Sequence, residues 1–252
     1  MAIRVDPVAA VQDGLGMLEL LQMADDVGAR PLLVVNAGCG TGDSICVRGP
    51  ALQPYIQGAI DAVEYVTGDA STLWGGKRAA AGRPLPFDLK ALGIGNENCV
   101  MGEQGEQYAR NWYAIATAVR AKHPHLPLVL GCEEQAQMLA MLQVEPRIRA
   151  LANMYDVHQR KSPEQFLAAA HEFDSYPRAD YPTLFVSEYS SPRRIFPNWT
   201  TVGAAVAEAI YMAGMEANGD VVQLATCESN CSRSLVLIVT TDAAMLTIVV
   251  SD

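Results

Sequence analysis

The sequence predicts an incomplete (β/α)₈ TIM barrel with about six strand–helix units in its 252 residues. Six short apolar runs alternate with segments of helical periodicity, which predicts a parallel sheet with right-handed crossovers. A doubly wound sheet satisfies the same alternation. However, no Gly-x-Gly-x-x-Gly motif and no phosphate-binding loop follows any predicted strand. These absences favour the barrel.

The elements are assigned from periodicity and from chain-breaking residues. Strands are placed where a short apolar run ends in a polar residue or glycine, and helices where apolar residues recur every three to four positions. The predicted strands are 31–35, 89–94, 128–130, 153–157, 183–186 and 221–225. The predicted helices are 14–29, 52–66, 106–122, 136–151, 163–173 and 202–216, the fourth with a break at Pro146. Residues 68–86, rich in glycine, alanine and arginine, are predicted to form a long loop.

Charge and hydropathy exclude several functions. The formal net charge of −10 disfavours nucleic acid or an anionic membrane as a partner. The first residues contain Arg4 and Asp6 and no apolar core of a signal peptide follows them, so we expect none in this chain. The apolar stretch 235–250 is interrupted at residues 240–242 and is too short for a membrane span. We expect two short strands or a disordered tail there.

The six cysteines are too sparse for a disulfide scaffold. Cys39 and Cys46 lie in one loop and are able to pair if the chain is secreted. Cys227 and Cys231 lack the partner pairs that a zinc site needs. We therefore interpret all six as unpaired thiols, and we predict no metal and no organic cofactor.

Polar residues gather where the predicted strands end, namely Asn36, Asn96, Glu97, Asp156, His158 and Glu188. In a parallel barrel these ends open on one face, where active sites are built. Glu97 and Glu188 are therefore predicted to project into one cleft. Two carboxyl groups that flank a glycosidic bond suffice to hydrolyse it, one as a proton donor and one as an ionised nucleophile or base. A strand-end glutamate also occurs as a solvated loop residue, so the pattern alone leaves both interpretations open.

Two strands carry a resemblance to a known family. Residues 93–97, Gly-Ile-Gly-Asn-Glu, resemble the acid/base strand of glycoside hydrolase family 51, the α-L-arabinofuranosidases. Residues 185–189, Phe-Val-Ser-Glu-Tyr, resemble the nucleophile strand of that family, and further blocks agree in order over residues 14–225. The resemblance implies a retaining hydrolase that releases terminal non-reducing α-L-arabinofuranosyl residues from arabinose-containing polysaccharides or oligosaccharides. Glu97 would be its general acid/base and Glu188 its nucleophile.

The resemblance also implies which residues bind the substrate. Asn96 would hold the 2-hydroxyl of the sugar, and His158 would lie close to the nucleophile. Trp74 would line the sugar pocket, with an apolar loop anchor as the alternative, and the strand-end residue Asn36 completes the predicted set. Eukaryotic members of the family are mostly secreted, so an extracellular location is the expectation from the resemblance.

The chain departs from the family pattern at three places. Arg160 stands where the family has an aromatic residue near the nucleophile, and an arginine would either pair with Glu188 or point to solvent. The match begins at the third barrel unit, so the first two strands are missing, and an open barrel exposes two strand edges. After Ala225 the resemblance stops. We divide the chain into a partial barrel catalytic domain, 1–225, and a divergent tail, 226–252.

Other functions fit the same residues. An inactive remnant would lack barrel closure and some sugar-binding residues. A carbohydrate-binding module would use the same cleft without hydrolysis. A different barrel glycosidase, such as a xylosidase or a glucanase, would also carry two glutamates.

Overall fold

The computed structural model describes residues 16–40, 45–99, 102–179, 182–191, 201–227, 236–240 and 243–249. Six parallel strands follow one another: β1 (Arg30–Val35), β2 (Ala91–Ile94), β3 (Leu128–Gly131), β4 (Met154–Arg160), β5 (Thr183–Ser190) and β6 (Val222–Cys227). Each strand pairs with its neighbour in sequence. The order of these strands never reverses, as it does in a doubly wound sheet. The predicted incomplete barrel is confirmed.

Helices connect the strands and cover one face of the sheet. They are α1 (Met17–Asp26), α2 (Gln53–Thr67), α3 (Leu73–Ala80), α4 (Glu103–Lys122), α5 (Gln135–Val144), α6 (Pro163–Ala168) and α7 (Val202–Ala217). A 3₁₀ turn begins at Pro146, where the sequence predicted a break, because proline has no N–H to continue helix α5. Within the described residues, no helix is both long and apolar enough to cross a membrane.

The strands bury side chains on both faces of the sheet. One residue from each of the six parallel strands forms a separate apolar cluster: Leu32, Ala91, Val129, Met154, Phe185 and Leu224. Their sequence neighbours, such as Leu33 and Leu92, belong to the larger core. Because side chains alternate between faces, the smaller cluster is an interior layer around which the sheet curls.

The backbone of the tail, residues 226–252, adds two strands to the sheet where it is described. Strands β7 (Val236–Thr240) and β8 (Ala243–Val249) form an antiparallel hairpin, and β8 pairs in parallel with β1. The two end strands of the sheet, β6 and β7, lie next to each other. Of the two strand edges expected to be exposed, the one at β1 is covered, because β8 pairs with it. The hairpin takes the position between β1 and β6 that two further barrel strands would fill.

Helix α3 corrects the prediction of a long loop at 68–86. Thr72 caps the helix, because its hydroxyl accepts a hydrogen bond of 3.1 Å from the N–H of Gly75. Arg78 is fully buried and anchors the helix. Its guanidinium donates to the backbone carbonyls of Tyr65, Val66, Gly68, Arg83 and Pro84. The sequence pattern did not predict this helix, because a buried arginine rather than an apolar stripe attaches it to the end of α2.

We expect Arg78→Ala to lower the free energy of unfolding by about 3 kcal/mol, because buried carbonyls lose a charged donor. Urea unfolding followed by circular dichroism measures the loss. Lys77→Ala is the matched control, since Lys77 is exposed and its ammonium lies 3.7 Å from the centre of the Trp74 ring. Losing that contact costs about 1 kcal/mol or less. Equal losses in the two variants would contradict the anchoring role of Arg78.

Two disulfide bonds correct the interpretation of the cysteines as unpaired. Cys39 pairs with Cys46 in the loop after β1, and Cys99 pairs with Cys132. Members of the second pair are 33 positions apart and follow β2 and β3, so only the pairing of those strands brings them together. Cys231 and the side chain of Cys227 lie outside the described part of the chain.

Candidate active site

Two carboxylates and two cations meet at the carboxyl end of the parallel sheet. Glu97 follows β2, His158 and Arg160 lie on β4, and Glu188 lies on β5. Nδ1 of His158 is 3.2 Å from Oε1 of Glu97 and 3.7 Å from Oε2 of Glu188. The ligand atoms of these three residues all lie within 4.8 Å of one another. The structure thus brings Glu97, His158 and Glu188 into one cluster.

A β-bulge sets the direction of Glu188. In the β4–β5 ladder Val157 is opposite Val186, but His158 is opposite Glu188, so Ser187 is the extra residue. Without this shift Ser187 would face His158, and Glu188 would point to the other side of the sheet. Strand β5 also extends beyond its predicted end at residue 186, because backbone pairing continues after the apolar run stops.

Strand β4 presents three charged residues on one face at a spacing of two. Oδ2 of Asp156 lies 3.5 Å from Nε2 of His158. Nη2 of Arg160 lies 2.5 Å from Oε2 of Glu188 and 3.6 Å from Oε1 of Glu97. Arg160 therefore pairs with Glu188 and does not point to solvent. The alternating spacing along a strand is the signal that would have assigned a role to Asp156.

The backbone of Glu97 has an unusual conformation. Its φ is +54°, the only positive value among the non-glycine residues that the structure describes. A non-glycine residue in this region costs about 1–3 kcal/mol and persists only where the surroundings fix it. Gly95 (φ +79°) precedes it, and a Cβ there would lie 2.6 Å from the ring of Tyr108. This tight turn directs Glu97 towards β4.

Tyr108 on α4 joins the ends of β2 and β3 beneath this turn. Its hydroxyl donates to the carbonyl of Ile94 at 2.7 Å and accepts from the N–H of Gly131 at 2.9 Å. Burial raises the pKa of Tyr108 well above its usual value, so the hydroxyl remains protonated. Sequence analysis missed this residue, because in the helical pattern it is indistinguishable from an ordinary apolar position.

The charges of the cluster depend on one another. Burial lowers the pKa of His158, but the carboxylates of Asp156, Glu97 and Glu188 outweigh burial and raise it to about 10. His158 is therefore a cation at neutral pH. Its hydrogen bond lowers the pKa of Glu97, partial burial opposes this, and Arg160 adds to the lowering. In this arrangement Glu97 is ionised at neutral pH.

The cluster also has the spacing of a cation site, since Glu97, His158 and Glu188 each offer a ligand atom. Nη2 of Arg160 already supplies a positive charge close to both glutamates. We therefore assign no metal to these residues. A cavity of about 620 Å³ is lined in part by His158, Arg160 and Gln165, but by neither Glu97 nor Glu188. This volume is within the usual range for small-molecule sites.

The structure separates Trp74 from this cluster. Trp74 lies on α3, and its backbone N–H donates to the side chain of Glu64 near the end of α2. Helix α3 lies between α2 and the start of β2. The chain enters β2 at the amino end of the sheet, where the N–H of Lys90 donates to the carbonyl of Pro31 near the start of β1. Glu97 is at the opposite, carboxyl end. The predicted role of Trp74 in the sugar pocket is corrected to a contact between helices.

Asn36 and Asn96 both lie at the carboxyl end of the sheet. Oδ1 of Asn36 accepts hydrogen bonds from the N–H groups of Gly38 at 2.6 Å and Cys39 at 3.2 Å, which shapes the loop after β1. Asn96 donates its backbone N–H to Oδ1 of Asn98 at 3.1 Å. Contact of either side chain with a sugar stays a prediction.

Comparison with known proteins identifies relatives of this chain. Residues 7–178 match the family model described as the alpha-L-arabinofuranosidase 1 domain. Alpha-L-arabinofuranosidase 2 of Arabidopsis thaliana is 33% identical over 212 residues, which cover 84% of this chain and 29% of that protein. Alpha-L-arabinofuranosidase A of Aspergillus niger is 34% identical over 215 residues, covering 84% of this chain and 32% of that protein. The chain spans about a third of the length of these relatives.

Solved structures give the same result. An arabinose-bound family 51 α-L-arabinofuranosidase matches with a TM-score of 0.69 at 30% identity, over 86% of this chain and 34% of the other. The enzyme from Thermotoga maritima, in its arabinose complex, matches with a TM-score of 0.63 over 86% of this chain and 46% of the other, and at 17% identity it supports the fold alone. Since the family model matches well over half of the residues, the chain belongs to the α-L-arabinofuranosidase family.

Proposed function

We propose that this chain is the catalytic part of a retaining α-L-arabinofuranosidase. It would release terminal non-reducing α-L-arabinofuranosyl residues from arabinose-containing polysaccharides or oligosaccharides. The observation that carries the proposal is the glutamate pair, because carboxylate oxygens of Glu97 and Glu188 lie within 4.8 Å of each other. Carboxyl groups about 5–5.5 Å apart are typical of retaining glycosidases, whereas inverting enzymes leave room for a water at about 6.5–9.5 Å.

The chemistry is a double displacement. The bound sugar displaces water and Arg160 from Glu97, which favours the protonated carboxyl. Glu188 then attacks the anomeric carbon while Glu97 donates this proton to the leaving glycosidic oxygen. A covalent arabinosyl ester on Glu188 results. Glu97 then takes a proton from water, which attacks the same carbon and releases arabinose with its original configuration. His158, buried and cationic, lies against both carboxylates and keeps them aligned.

Arg160 must leave Glu188 before the attack. Its Nη2 is 2.5 Å from the Oε2 of the nucleophile and 3.6 Å from Oε1 of Glu97, so it lies between the two carboxylates that must flank the glycosidic bond. Reacting atoms approach to about 3–3.5 Å before bond formation, so the guanidinium and the sugar compete for the same oxygen. The substrate therefore displaces Arg160 from this position.

We expect Arg160→Gln to move the basic limb of the pH profile of kcat/KM to higher pH. That limb reports deprotonation of the general acid, and Arg160 lowers the pKa of Glu97. Removing the cation disfavours the ionised form of Glu97, so its proton is retained to higher pH. Lys161→Gln is the matched control, because Lys161 pairs with Glu172 at 3.1 Å. A basic limb unchanged in Arg160→Gln, or equally shifted in the control, would refute this assignment.

An extracellular location is part of the proposal. Two disulfide bonds are typical of proteins from oxidising compartments, which supports secretion. The net charge of −10 supports an uncharged carbohydrate, rather than nucleic acid or an anionic membrane, as the partner.

The test is hydrolysis of 4-nitrophenyl α-L-arabinofuranoside by the chain, with the first sugar product followed by proton NMR. We expect the α-anomer of arabinose to appear first and to mutarotate afterwards. First formation of the β-anomer would overturn the double displacement. Absence of hydrolysis by folded protein would overturn the activity.

A further inference from the structure

The segment that carries Glu97 is tied covalently to the neighbouring strand. Cys99 comes two residues after Glu97, and its disulfide partner Cys132 directly follows β3. Both cysteines are buried, with 1% and 0% of their surfaces exposed. The Sγ of Cys99 lies 3.5 Å from the carbonyl oxygen of Gly131. The bond thus holds the chain beside Glu97 at the carboxyl end of β3.

The same bond connects Glu97 to His158 through a closed path. Cys132 is followed by Glu133, whose carbonyl accepts the backbone N–H of His158 at 2.8 Å. Nδ1 of His158 then returns to Oε1 of Glu97 at 3.2 Å. The disulfide is the only covalent link in this ring between the strand-end segments of β2 and β3, so breaking it opens the ring.

The turn at Glu97 needs such a constraint. A φ of +54° is a conformation that a glutamate leaves unless its surroundings hold it. Beneath the turn the strand ends are in close contact, since a Cβ on Gly131 would lie 2.2 Å from the carbonyl oxygen of Gly95. Beyond the turn, Asn98 contributes a hydrogen bond of 3.1 Å to the N–H of Asn96. The disulfide adds the covalent constraint on the far side of Glu97.

We propose that the Cys99–Cys132 disulfide positions Glu97 for proton transfer, so that protonation of the leaving group depends on this bond. The proposal rests on the function proposed above. Both sulfurs are buried, so the cysteines are positioning residues that act through Glu97. Without the bond, Glu97 relaxes from its left-handed conformation and moves away from both His158 and the glycosidic oxygen. Attack by Glu188, on the separate strand β5, is retained.

The test uses the full chain as the enzyme and compares kcat/KM for two arabinofuranosides that differ in their leaving group. Nitrophenolate leaves 4-nitrophenyl α-L-arabinofuranoside with little protonation, whereas benzyl α-L-arabinofuranoside requires a proton donor. For the Cys99→Ala/Cys132→Ala variant we expect a loss of about 100-fold with the benzyl substrate and about threefold or less with the nitrophenyl substrate. The Cys39→Ala/Cys46→Ala variant removes the other disulfide and is the matched control, with an unchanged ratio between substrates.

Reduction provides the same comparison without the alanine variant, should that variant fail to fold. In the Cys39→Ala/Cys46→Ala background a phosphine reductant opens the Cys99–Cys132 bond. It donates two electrons, two protons from water end on the thiols, and the phosphine becomes its oxide. Thiol titration confirms the opening. Equal losses with both substrates, or an unchanged benzyl rate, would overturn the proposal.

A readout independent of turnover separates this proposal from the proposed function. His158 lowers the pKa of Glu97, so moving Glu97 away should raise that pKa, which carbon-13 NMR of labelled glutamate side chains follows. An unchanged titration in the Cys99→Ala/Cys132→Ala variant would overturn the positioning role. A raised pKa in a chain that hydrolyses neither substrate would support positioning by the disulfide and overturn the proposed activity.

Discussion

Glu188→Gln is expected to lower kcat by a factor on the order of 10⁴ or more with every arabinofuranoside, because an amide neither attacks the anomeric carbon nor carries the sugar as an ester. The substitution nearly preserves volume and leaves an oxygen for Arg160, so the fold should persist. Rates with 4-nitrophenyl α-L-arabinofuranoside, alongside circular dichroism of both proteins, measure the effect.

Glu106→Gln is the matched control for this substitution. Glu106 lies on α4 and pairs with Arg110 at 3.1 Å, with nearly half of its side chain exposed. We expect it to retain the full rate. Rapid-quench mass spectrometry of the unsubstituted chain should find arabinose attached to the peptide that contains Glu188. A fully active Glu188→Gln variant, or a sugar attached to a different peptide, would refute the nucleophile assignment.

Glu97→Gln is expected to have the second-largest effect, and it depends on the leaving group. Loss of a general acid costs about 10²–10⁴-fold in kcat/KM with a benzyl aglycone, and far less with a nitrophenyl aglycone. Azide should restore kcat with the nitrophenyl substrate, because an anionic nucleophile opens the ester on Glu188 without a base. The product would then be an arabinosyl azide. Equal losses with both aglycones, without rescue, would contradict the acid/base role of Glu97.

The same variants separate catalysis from simple binding. Calorimetry with arabino-oligosaccharides measures affinity in the unsubstituted chain and in Glu97→Gln. An active chain hydrolyses the ligand, while Glu97→Gln binds it and turns it over slowly. Equal binding in both proteins, without turnover in either, would identify a carbohydrate-binding remnant.

The sequence by itself determined the fold class and the two candidate glutamates. Burial and strand periodicity are local properties, so the six strand–helix units were visible in the order of apolar and polar residues. The parallel arrangement then required all strand ends to open on one face. That rule predicted that Glu97 and Glu188 project into one cleft although they are distant in sequence, and the family resemblance placed His158 close to Glu188.

Only the tertiary structure decided how these residues are directed and constrained. The extra residue Ser187 turns Glu188 towards His158, and such a bulge is seen only in the pairing of two strands. The partners of Arg160 and of Cys99 lie on neighbouring strands, and residue types alone did not select them.

Long-range packing also explains the corrections to Trp74 and to the tail. Trp74 lies on a helix held by a buried arginine at the wrong end of the sheet for a sugar contact, and the tail pairs with β1 despite its unrelated sequence. Local sequence predicts which segments are helix or strand. The register, the cross-strand bonds and the end of the sheet that a side chain reaches arise from long-range packing, which a local pattern does not encode.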